Sequence, residues 1–305
     1  MMEGKALRKK IYISYQGPGG KGGINLTLFL PIDKTNPAPV FLLLNNRSDT
    51  NIDPDRSIKS GFWPAEDIIS RGYTAAAFSL EDVDPDKYDG FKDGVHGIFD
   101  ANDTPRSSNA WGTISAWAWG ASRVMDYFET EPDIDAARVA VVGHSRGGKA
   151  ALWCGAQDKR FAMVVSNNSG CTGAAVARGK KGEMIKDIND TFPHWFCKNY
   201  RMYNGNEYKL PIDQHMLLSL IAPRILYVTS ATADAWSDPK AEFLSCILAD
   251  SVYNLFGLKG LETHDMPAAD YPIMGEHIAY HIRTGQHDLT EYDWSRFMDF
   301  ADMYL

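Results

Sequence analysis

The pentapeptide Gly-His-Ser-Arg-Gly at positions 143–147 follows a run of apolar, β-branched residues and precedes a helix-prone run that begins at Lys149. A serine in a sharp turn between a strand and a helix is the arrangement of a nucleophile elbow. Glycines on either side relieve crowding in such a turn, and the start of the helix favours negative charge that develops nearby. The pattern predicts Ser145 as the nucleophile of an acyl transfer. The alternative is an ordinary turn between a buried strand and a helix.

His287 is the candidate for the base that removes the serine proton. An acyl-transfer serine needs such a base and an acid that orients it, and enzymes with this elbow carry them in the order serine, acid, histidine. His287 lies late in the chain among turn-forming residues, which suits a position in a loop. The rival histidines are His264, His277 and His281.

Asp234 is the candidate for the acid, because it closely follows the late apolar run 224–230. A residue just past that strand would point to the same edge of the sheet as Ser145. Asp238 is the second choice, since the proline after it indicates a turn or a helix start. Asn168 follows an earlier strand, where some enzymes of this kind carry their acid, but an amide lacks the negative charge that stabilises an imidazolium. The alternative is that both aspartates only stabilise their loop.

Two features could supply the donors that an oxyanion needs. The first is the backbone N–H of Arg146, the residue after the nucleophile, whose guanidinium would add positive charge. The second is an N–H from residues 45–48, the loop that follows the apolar run 39–44. The alternative is that Arg146 pairs with a structural acid.

The order of the apolar runs predicts the α/β class, with an α/β-hydrolase fold on a mostly parallel, mixed sheet and helices on both faces. Strands are expected at 10–14, 24–31, 39–44, 74–79, 139–142, 163–166 and 224–230. The first two alternate apolar and polar residues, whereas later runs are continuously apolar, as in strands covered on both faces. Since no break in composition divides the chain, residues 1–305 are expected to form a single domain. The Asp-, Gly- and Lys-rich segment 82–109 is expected to be a long surface loop.

The bulk composition argues against several classes of protein. The 305 residues are 44% hydrophobic and 23% charged, which suits one large core. The formal net charge is −8 and no long basic run is present, so no nucleic-acid partner is expected. The first residues lack the apolar stretch of a signal peptide, and no membrane span or membrane partner is expected. The chain as given is expected in the cytoplasm, or as a secreted or periplasmic protein if a leader has been removed.

Metal and disulfide chemistry are not favoured. Four cysteines are too few for a disulfide framework. Two of them fall in helical runs and are expected as core thiols, while the pairing of Cys171 with Cys197 is left open. His277 and His281 have the spacing of one helical face, but no third ligand accompanies them. We therefore expect no cofactor and no metal, and the oligomeric state is left open.

A set of uncommon strings in fixed order resembles the glucuronoyl esterases, carbohydrate esterase family fifteen, and especially their bacterial branch. The resemblance runs from about residue 37 to the end of the chain and includes the strings at 40–46, 143–149, 166–171, 192–197, 210–215, 221–224, 234–239 and 280–288. Members of that family cleave esters of 4-O-methyl-glucuronic acid, including those that join glucuronoxylan to lignin alcohols. The resemblance implies Ser145 as nucleophile, His287 as base and Arg146 as stabiliser of the oxyanion.

The resemblance further implies that Lys149, Glu183 and Trp236 contact the sugar acid. Lys149 follows Ser145 by one helical turn, so it would reach the mouth of the cleft and donate to sugar hydroxyls. Glu183 would accept hydrogen bonds from hydroxyls, and Trp236 would stack on a pyranose face. The alternatives are a solvated lysine, a surface glutamate and a core tryptophan.

The sequence departs from the family pattern in two places. The fungal pattern has a glutamate where Asn168 stands, whereas the bacterial pattern has an aspartate after the later strand, as at Asp234. The region before residue 37 is also shorter than the lead-in of secreted members. The expected activity is that of a serine carbohydrate esterase, with a glucuronoxylan-type ester as substrate. An acetyl-carbohydrate (acetyl xylan) esterase with the same triad is the first alternative, and a non-catalytic carbohydrate-binding relative is the second.

Overall fold

A computed structural model describes residues 1–32, 37–100 and 104–305. In these residues nine strands pair into one sheet in the order β1-β2-β4-β3-β5-β6-β7-β9-β8. The strands are β1 (Ala6–Gly17), β2 (Gly20–Pro31), β3 (Ala38–Asn45), β4 (Thr74–Ser79), β5 (Ile134–His144), β6 (Met163–Asn167), β7 (Ile225–Ala231), β8 (Ile273–Met274) and β9 (Ile278–Arg283). The pairs from β4 to β9 are parallel, and the pairs at both ends of the sheet are antiparallel. The predicted α/β class with a mostly parallel, mixed sheet is confirmed.

Eight α-helices of the described chain cover the two faces of the sheet. They are α1 (Ala65–Ser70), α2 (Gly94–Phe99), α3 (Thr113–Phe128), α4 (Arg146–Gln157), α5 (Ile185–Thr191), α6 (Gln214–Ser219), α7 (Pro239–Leu255) and α8 (Glu291–Ala301). Alternate strand residues face opposite cores. Leu42 and Leu44 pack in the core that includes α3, α4 and α7, whereas Phe41 and Leu43 pack in the core that includes α1 and α8. Because both faces are covered, the central strands are continuously apolar.

The direction of the parallel strands determines where functional loops meet. Strands β3, β5, β7 and β9 run the same way, so the loops that follow them lie at one edge of the sheet. In open α/β sheets this carboxyl edge is where ligands bind. The loops after β5, β7 and β9 carry Ser145, Asp234 and His287 respectively.

The helix after the elbow begins earlier than the sequence predicts. It starts at Arg146 rather than at Lys149, because Ser145 directly precedes it and the Lys149 N–H already bonds the Ser145 carbonyl at 3.2 Å. The elbow is therefore a single residue between strand and helix.

The segment 82–109 is a surface loop only in part. Helix α2 lies within it, and Asp84 is buried because His96 Nδ1 lies 2.9 Å from one of its oxygens and Thr113 Oγ1 lies 2.7 Å from the other. Satisfied in this way, a charged residue can enter the core. Residues 101–103 of this segment lie outside the described residues.

The helical-face interpretation of His277 and His281 is wrong. His281 lies in β9, where residues four apart do not share a helical face. It is buried, and its Nε2 lies 2.9 Å from Asp293 Oδ1. The histidine is thus held by a carboxylate within the core rather than exposed for a metal.

All four cysteines are free thiols. Cys154 and Cys246 are buried within α4 and α7, as their helical runs predict, and Cys171 and Cys197 are not bonded to each other. None of the helices in the described parts of the chain has the length and apolar character needed to cross a membrane.

Candidate active site

Ser145 occupies a strained turn between β5 and α4. Its backbone has φ 55° and ψ −123°, a conformation that is costly for a residue with a side chain. The turn also brings chain segments very close together: a Cβ atom on Gly143 would lie 2.0 Å from the Gly147 carbonyl oxygen. The Ser145 N–H bonds the Asn167 carbonyl at 2.8 Å and ties the turn to β6. The turn that holds Ser145 at the edge of the sheet therefore requires glycine at position 143.

His287 and Asp234 form a close pair at this edge. His287 Nδ1 lies 2.6 Å from Asp234 Oδ2, and the two side chains are 40% and 5% exposed. They meet because β7 and β9 are parallel neighbours, so that the loops after them are adjacent. The aspartate is buried, and the imidazole is partly exposed to solvent.

The environment of Asp234 favours its charged form. Burial alone opposes ionisation, but hydrogen bonds from His287, Ser237 and Asn168 outweigh it and hold the pKa of the Asp234 carboxyl well below its usual range. Asn168 Nδ2 donates to Asp234 Oδ2 at 3.0 Å. Asn168 thus acts as a donor to the acid at a position where the fungal pattern has an acid of its own.

Asp238, the second choice for the acid, has a different place. Its side chain accepts a hydrogen bond from the N–H of Ala241 and caps the start of α7, and Pro239 is the first residue of that helix. It also accepts from the N–H of Lys181 at 2.5 Å. Asp238 is therefore a helix cap, as the proline after it indicates.

The residue before the candidate nucleophile packs against the candidate base at the sheet edge. The His287 ring centroid is 4.5 Å from that of His144, the residue before Ser145. Among the described residues no hydrogen bond joins the Ser145 hydroxyl to His287. Catalytic hydrogen bonds are often long before substrate binds and tighten only in the complex.

Arg146 is held on two sides. Its Nε lies 2.6 Å from Asp86 Oδ2 and its Nη2 donates to the Asn46 carbonyl at 2.7 Å. Asp86 is also approached by His194 Nε2 at 3.0 Å and by the Trp195 indole N–H at 2.7 Å. Burial would raise the pKa of Asp86, but these donors and the arginine charge lower it. Arg146 therefore does pair with an acid, as the alternative states. It also lies directly after the candidate nucleophile, so the two interpretations are compatible.

Two hydrogen bonds between Asn45 and Arg47 hold the loop after β3 together. The Arg47 N–H bonds Asn45 Oδ1 at 3.3 Å, and Asn45 Nδ2 donates to the Arg47 carbonyl at 2.9 Å. These bonds keep the loop compact beside the elbow. The Arg47 N–H is consequently engaged within its own loop.

Lys149, Glu183 and Trp236 adjoin one another. The Glu183 N–H bonds the Trp236 carbonyl at 2.9 Å, and Lys149 Nζ lies 3.9 Å from Glu183 Oε2. Trp236 is 57% exposed, so its ring is available to a ligand. The structure thus places the three predicted substrate contacts next to one another.

Lys149 does not reach the mouth of the cleft, contrary to the sequence expectation. Lys149 is only 5% exposed. Its ammonium donates to the carbonyls of Ser169 at 2.5 Å and Cys171 at 2.7 Å. Burial lowers the pKa of Lys149, partly opposed by the charge of Glu183. The loop that follows β6 folds over the lysine and takes two of its three donors.

A cavity of about 590 Å³ extends along α4 from Lys149 away from Ser145. Its walls are mainly apolar and include the aromatic side chains of Trp111, Trp119, Trp153 and Phe196. Lys149 and Trp153 are one helical turn apart and share the face of α4 that borders the cavity.

Sequence reasoning missed the residues that hold the loop of His287. Arg283 Nη2 donates to the carbonyls of Gln286 and Asp288, each at 2.9 Å, and its Nε bonds the buried Asp293 at 3.0 Å. Arg283 falls within the string at 280–288, but only its contacts reveal this function. In residues 1–32, 37–100 and 104–305 no group of three His, Cys, Asp or Glu side chains is placed to hold a metal ion.

Comparison with known proteins shows the family. A family model described as glucuronyl esterase, fungi, matches residues 70–257. The chain is 41% identical to carbohydrate esterase MZ0003 from an unknown prokaryotic organism, over 99% of this chain and 76% of that relative. The chain belongs to the glucuronoyl esterase family. As a member of this family it is a carboxylic ester hydrolase.

Two further relatives of this glucuronoyl esterase family member extend the comparison. The chain is 30% identical to 4-O-methyl-glucuronoyl methylesterase 1 of Wolfiporia cocos, over 67% of this chain and 53% of that relative. A solved structure of the glucuronoyl esterase from Solibacter usitatus superimposes with a TM-score of 0.91 at 41% identity, covering 98% of this chain and 82% of that one. The resemblance and the α/β-hydrolase fold predicted from sequence are confirmed.

Proposed function

We propose that this protein hydrolyses esters of 4-O-methyl-glucuronic acid through an acyl-enzyme on Ser145. The observation that carries the proposal is the 2.6 Å contact between His287 and Asp234, at the sheet edge where the elbow serine also lies. The Wolfiporia cocos relative is named as a 4-O-methyl-glucuronoyl methylesterase and the Solibacter usitatus structure as a glucuronoyl esterase. The natural substrate class is a carbohydrate ester of the glucuronoxylan type.

In the acylation step Ser145 Oγ attacks the ester carbonyl while His287 Nε2 takes the serine proton. Asp234 accepts from His287 Nδ1, which fixes the tautomer and stabilises the imidazolium. The C–O bond to the alcohol then breaks, and His287 returns the proton to the leaving oxygen. Water repeats the sequence on the acyl-enzyme and releases the uronic acid and the free serine.

The oxyanion of the tetrahedral intermediate is stabilised by the backbone N–H of Arg146 and by its guanidinium. Bonds to Asp86 and to the Asn46 carbonyl hold that guanidinium before substrate binds. Donors that are already oriented stabilise developing charge without a cost of rearrangement at the moment of reaction. Asp86 lowers the net charge at this point but preserves the geometry.

The sugar acid binds against the wall made by Trp236, Glu183 and Lys149. The exposed ring of Trp236 stacks on a pyranose face, and Glu183 accepts from sugar hydroxyls. Lys149 has one donor not taken by the carbonyls of Ser169 and Cys171, and its charge lies beside Glu183. Lys149 therefore acts from a buried position behind Glu183 rather than from the exposed surface.

The deciding experiment compares benzyl glucuronate with an acetylated xylo-oligosaccharide, using the parent chain and Ser145→Ala. We expect turnover of the glucuronate ester that the alanine variant loses by at least about 10³-fold. Preference for the acetyl ester would support the serine mechanism but contradict the proposed substrate. Turnover of neither ester, together with binding of the sugar acid, would favour the non-catalytic relative.

We also propose that residues 1–305 form a single domain. The support is that one sheet runs through the described chain and that helices from the whole length pack on it. A single cooperative transition in thermal unfolding, by calorimetry and by tryptophan fluorescence alike, is the expected result. Two separated transitions would contradict it.

A further inference from the structure

The side chain of Arg47 connects three segments that meet at the sheet edge. It leaves the loop after β3, and its Nη1 lies 2.7 Å from Asp288 Oδ1. Its Nη2 lies 3.3 Å from His144 Nε2 and 3.5 Å from the His287 carbonyl oxygen. The guanidinium stands 4.7 Å from the centre of the Phe62 ring. Arg47 thus joins the residue before Ser145 to the residue after His287.

His144 is arranged to accept a hydrogen bond from this arginine. It is buried, and its Nδ1 lies 2.6 Å from Asn167 Oδ1. Asn167 in turn donates through Nδ2 to Thr229 Oγ1 at 2.6 Å, so its oxygen is the atom that faces His144. The proton of a neutral His144 therefore sits on Nδ1, and Nε2 presents a lone pair to Arg47.

The neutral state of His144 is supported by its surroundings. Burial, together with the charges of His287 and Arg47, holds the pKa of His144 well below its usual range, against the opposing effect of the bond to Asn167. A charged imidazole would repel the guanidinium and would have no lone pair to offer. The chain Thr229, Asn167, His144, Arg47 is thus a continuous set of donors and acceptors that begins in the buried sheet.

We propose that Arg47 and His144 are positioning residues that set the distance between the nucleophile elbow and the loop of the base. The inference rests on the proposed roles of Ser145 and His287, and it adds the side chains of Arg47 and His144 to them. His287 is the most exposed member of the proposed triad, so its backbone must be held from outside the triad. Arg283 holds the loop on its inner side through the carbonyls of Gln286 and Asp288.

The geometry explains why a second anchor is needed. Arg283 fixes the loop relative to β9 and α8, because its acid partner Asp293 lies in α8. It does not fix the loop relative to β5, which carries the elbow. Arg47 supplies that link through His144, and a misplacement of about 1 Å between reacting groups can cost about 10²-fold in rate.

The test uses Arg47→Met, which keeps an apolar chain over Phe62 but removes all donors. Arg123→Met is a matched control, since Arg123 is also 36% exposed, pairs with an acid at 3.0 Å and lies 5.4 Å from a tryptophan ring. A fluorophosphonate probe is used, which forms a P–O bond to Ser145 and releases fluoride while His287 takes the proton. We expect Arg47→Met to be labelled completely but about 10-fold or more slowly, and Arg123→Met to match the parent.

Steady-state kinetics on benzyl glucuronate give a second readout. For Arg47→Met we expect kcat to fall in proportion to the labelling rate with KM within about twofold, since the sugar wall is untouched. A lower final extent of labelling, or a rate equal to that of the parent, would overturn the proposal, because the first indicates misfolding and the second indicates no positioning.

Variants of His144 separate the hydrogen bond from simple packing. Glutamine can present an amide oxygen to Arg47 near the place of Nε2, whereas phenylalanine fills the space without an acceptor. We expect His144→Gln to be labelled faster than His144→Phe. We expect the double variant, Arg47→Met with His144→Phe, to be labelled no more slowly than the slower of the two single variants. Equal rates for the two His144 variants, or additive losses in the double variant, would overturn the proposal.

The outcomes also separate this inference from the proposed function. A parent chain that is labelled on Ser145 but does not hydrolyse glucuronate esters would contradict the substrate and leave the labelling comparison decisive for Arg47. A parent chain that is not labelled on Ser145 would contradict both, because the inference requires a reactive serine.

Discussion

Arg146 Nε lies 2.6 Å from Asp86 Oδ2, so a carboxylate from the segment after β4 orients the guanidinium of the residue that follows Ser145, the proposed nucleophile. The carboxylate is itself fixed by donors from His194 and Trp195. A positive group beside the proposed oxyanion site is thus held in place by a chain of polar contacts. The Asp86 carboxylate partly balances the charge of the guanidinium. The pair therefore fixes the orientation of the guanidinium but weakens its electric field.

Replacing Asp86 with asparagine is expected to lower kcat about 10-fold. The amide weakens the hold on the guanidinium without removing it, so the loss is smaller than the roughly 10²–10³-fold that removal of an oxyanion donor costs. Arg146→Met should show that larger loss. Asp190→Asn is the control, because Asp190 is an exposed acid paired with Lys186. A kcat for Asp86→Asn equal to the parent's would show that the pair has no part in catalysis.

Asp234→Asn is expected to lower kcat by about 10³–10⁴-fold, because an amide cannot stabilise the imidazolium and allows the wrong tautomer of His287. The measurement is steady-state turnover of benzyl glucuronate. Asp238→Asn is the matched control, four positions further along the same segment. Asp238 caps α7, and asparagine is about as good an N-cap as aspartate, so stability and kcat should both stay nearly unchanged. The reverse order of the two kcat losses would make Asp238 the acid.

Local signals in the sequence predict most of the framework. The apolar runs at 39–44 and 74–79 indicate strands covered on both faces, and both form central strands of the sheet. The glycines around Ser145 predict the elbow because only a residue without Cβ tolerates the 2.0 Å approach at Gly143. The order of Asp234 and His287 and their positions after late strands predict that they meet, and the parallel topology does bring them together at one edge.

Polar contacts between distant segments are not visible in the sequence. Arg47 and Asp288 are separated by 241 positions, and no spacing rule relates them. Asp86 lies in a segment whose composition is typical of a loop, yet its carboxylate is held by buried donors. The burial of Lys149 depends on the loop at 168–172 folding over it, which the helical spacing from Ser145 does not reveal.

The raised pKa of Glu242 leads us to expect that the stability of the fold depends on pH. Burial raises its pKa from 4.5 to about 7, although hydrogen bonds from Ser230 and the Gly170 N–H oppose the shift. Between pH 4.5 and about 7 the folded state therefore holds a proton that the unfolded state has lost, so stability decreases as pH rises through this range and is level above it.

The variant Glu242→Gln should lack this decrease, since its amide is neutral throughout. We expect the fall in Tm between pH 5 and pH 8 to be smaller in the variant than in the parent by about 4 °C or more. Glu276→Gln, at an exposed glutamate, should retain the parent's pH dependence. An identical fall in Tm for Glu242→Gln and the parent would contradict the assignment.

Lys149→Met is expected to lower stability as well as substrate affinity. The ammonium bonds two backbone carbonyls in a buried position, and their loss leaves two acceptors without partners, at a cost of about 2–4 kcal/mol. Denaturant unfolding measures this cost. Lys186→Met, at an exposed lysine paired with Asp190, should change stability by less than about 0.5 kcal/mol. An unfolding free energy for Lys149→Met within that same margin would show that the carbonyls find other partners.

Trp236→Ala is expected to raise KM for benzyl glucuronate about 10-fold with little change in stability. The ring is 57% exposed in the free protein, so its removal opens no cavity in the core and its contribution is realised only when a sugar stacks on it. Tyr12→Ala is the control, because Tyr12 is 64% exposed on β1 at the far edge of the sheet. If KM were unchanged while kcat fell, Trp236 would act on the reacting ester rather than on the sugar ring, and the sugar wall would need to be reassigned to Glu183 and Lys149.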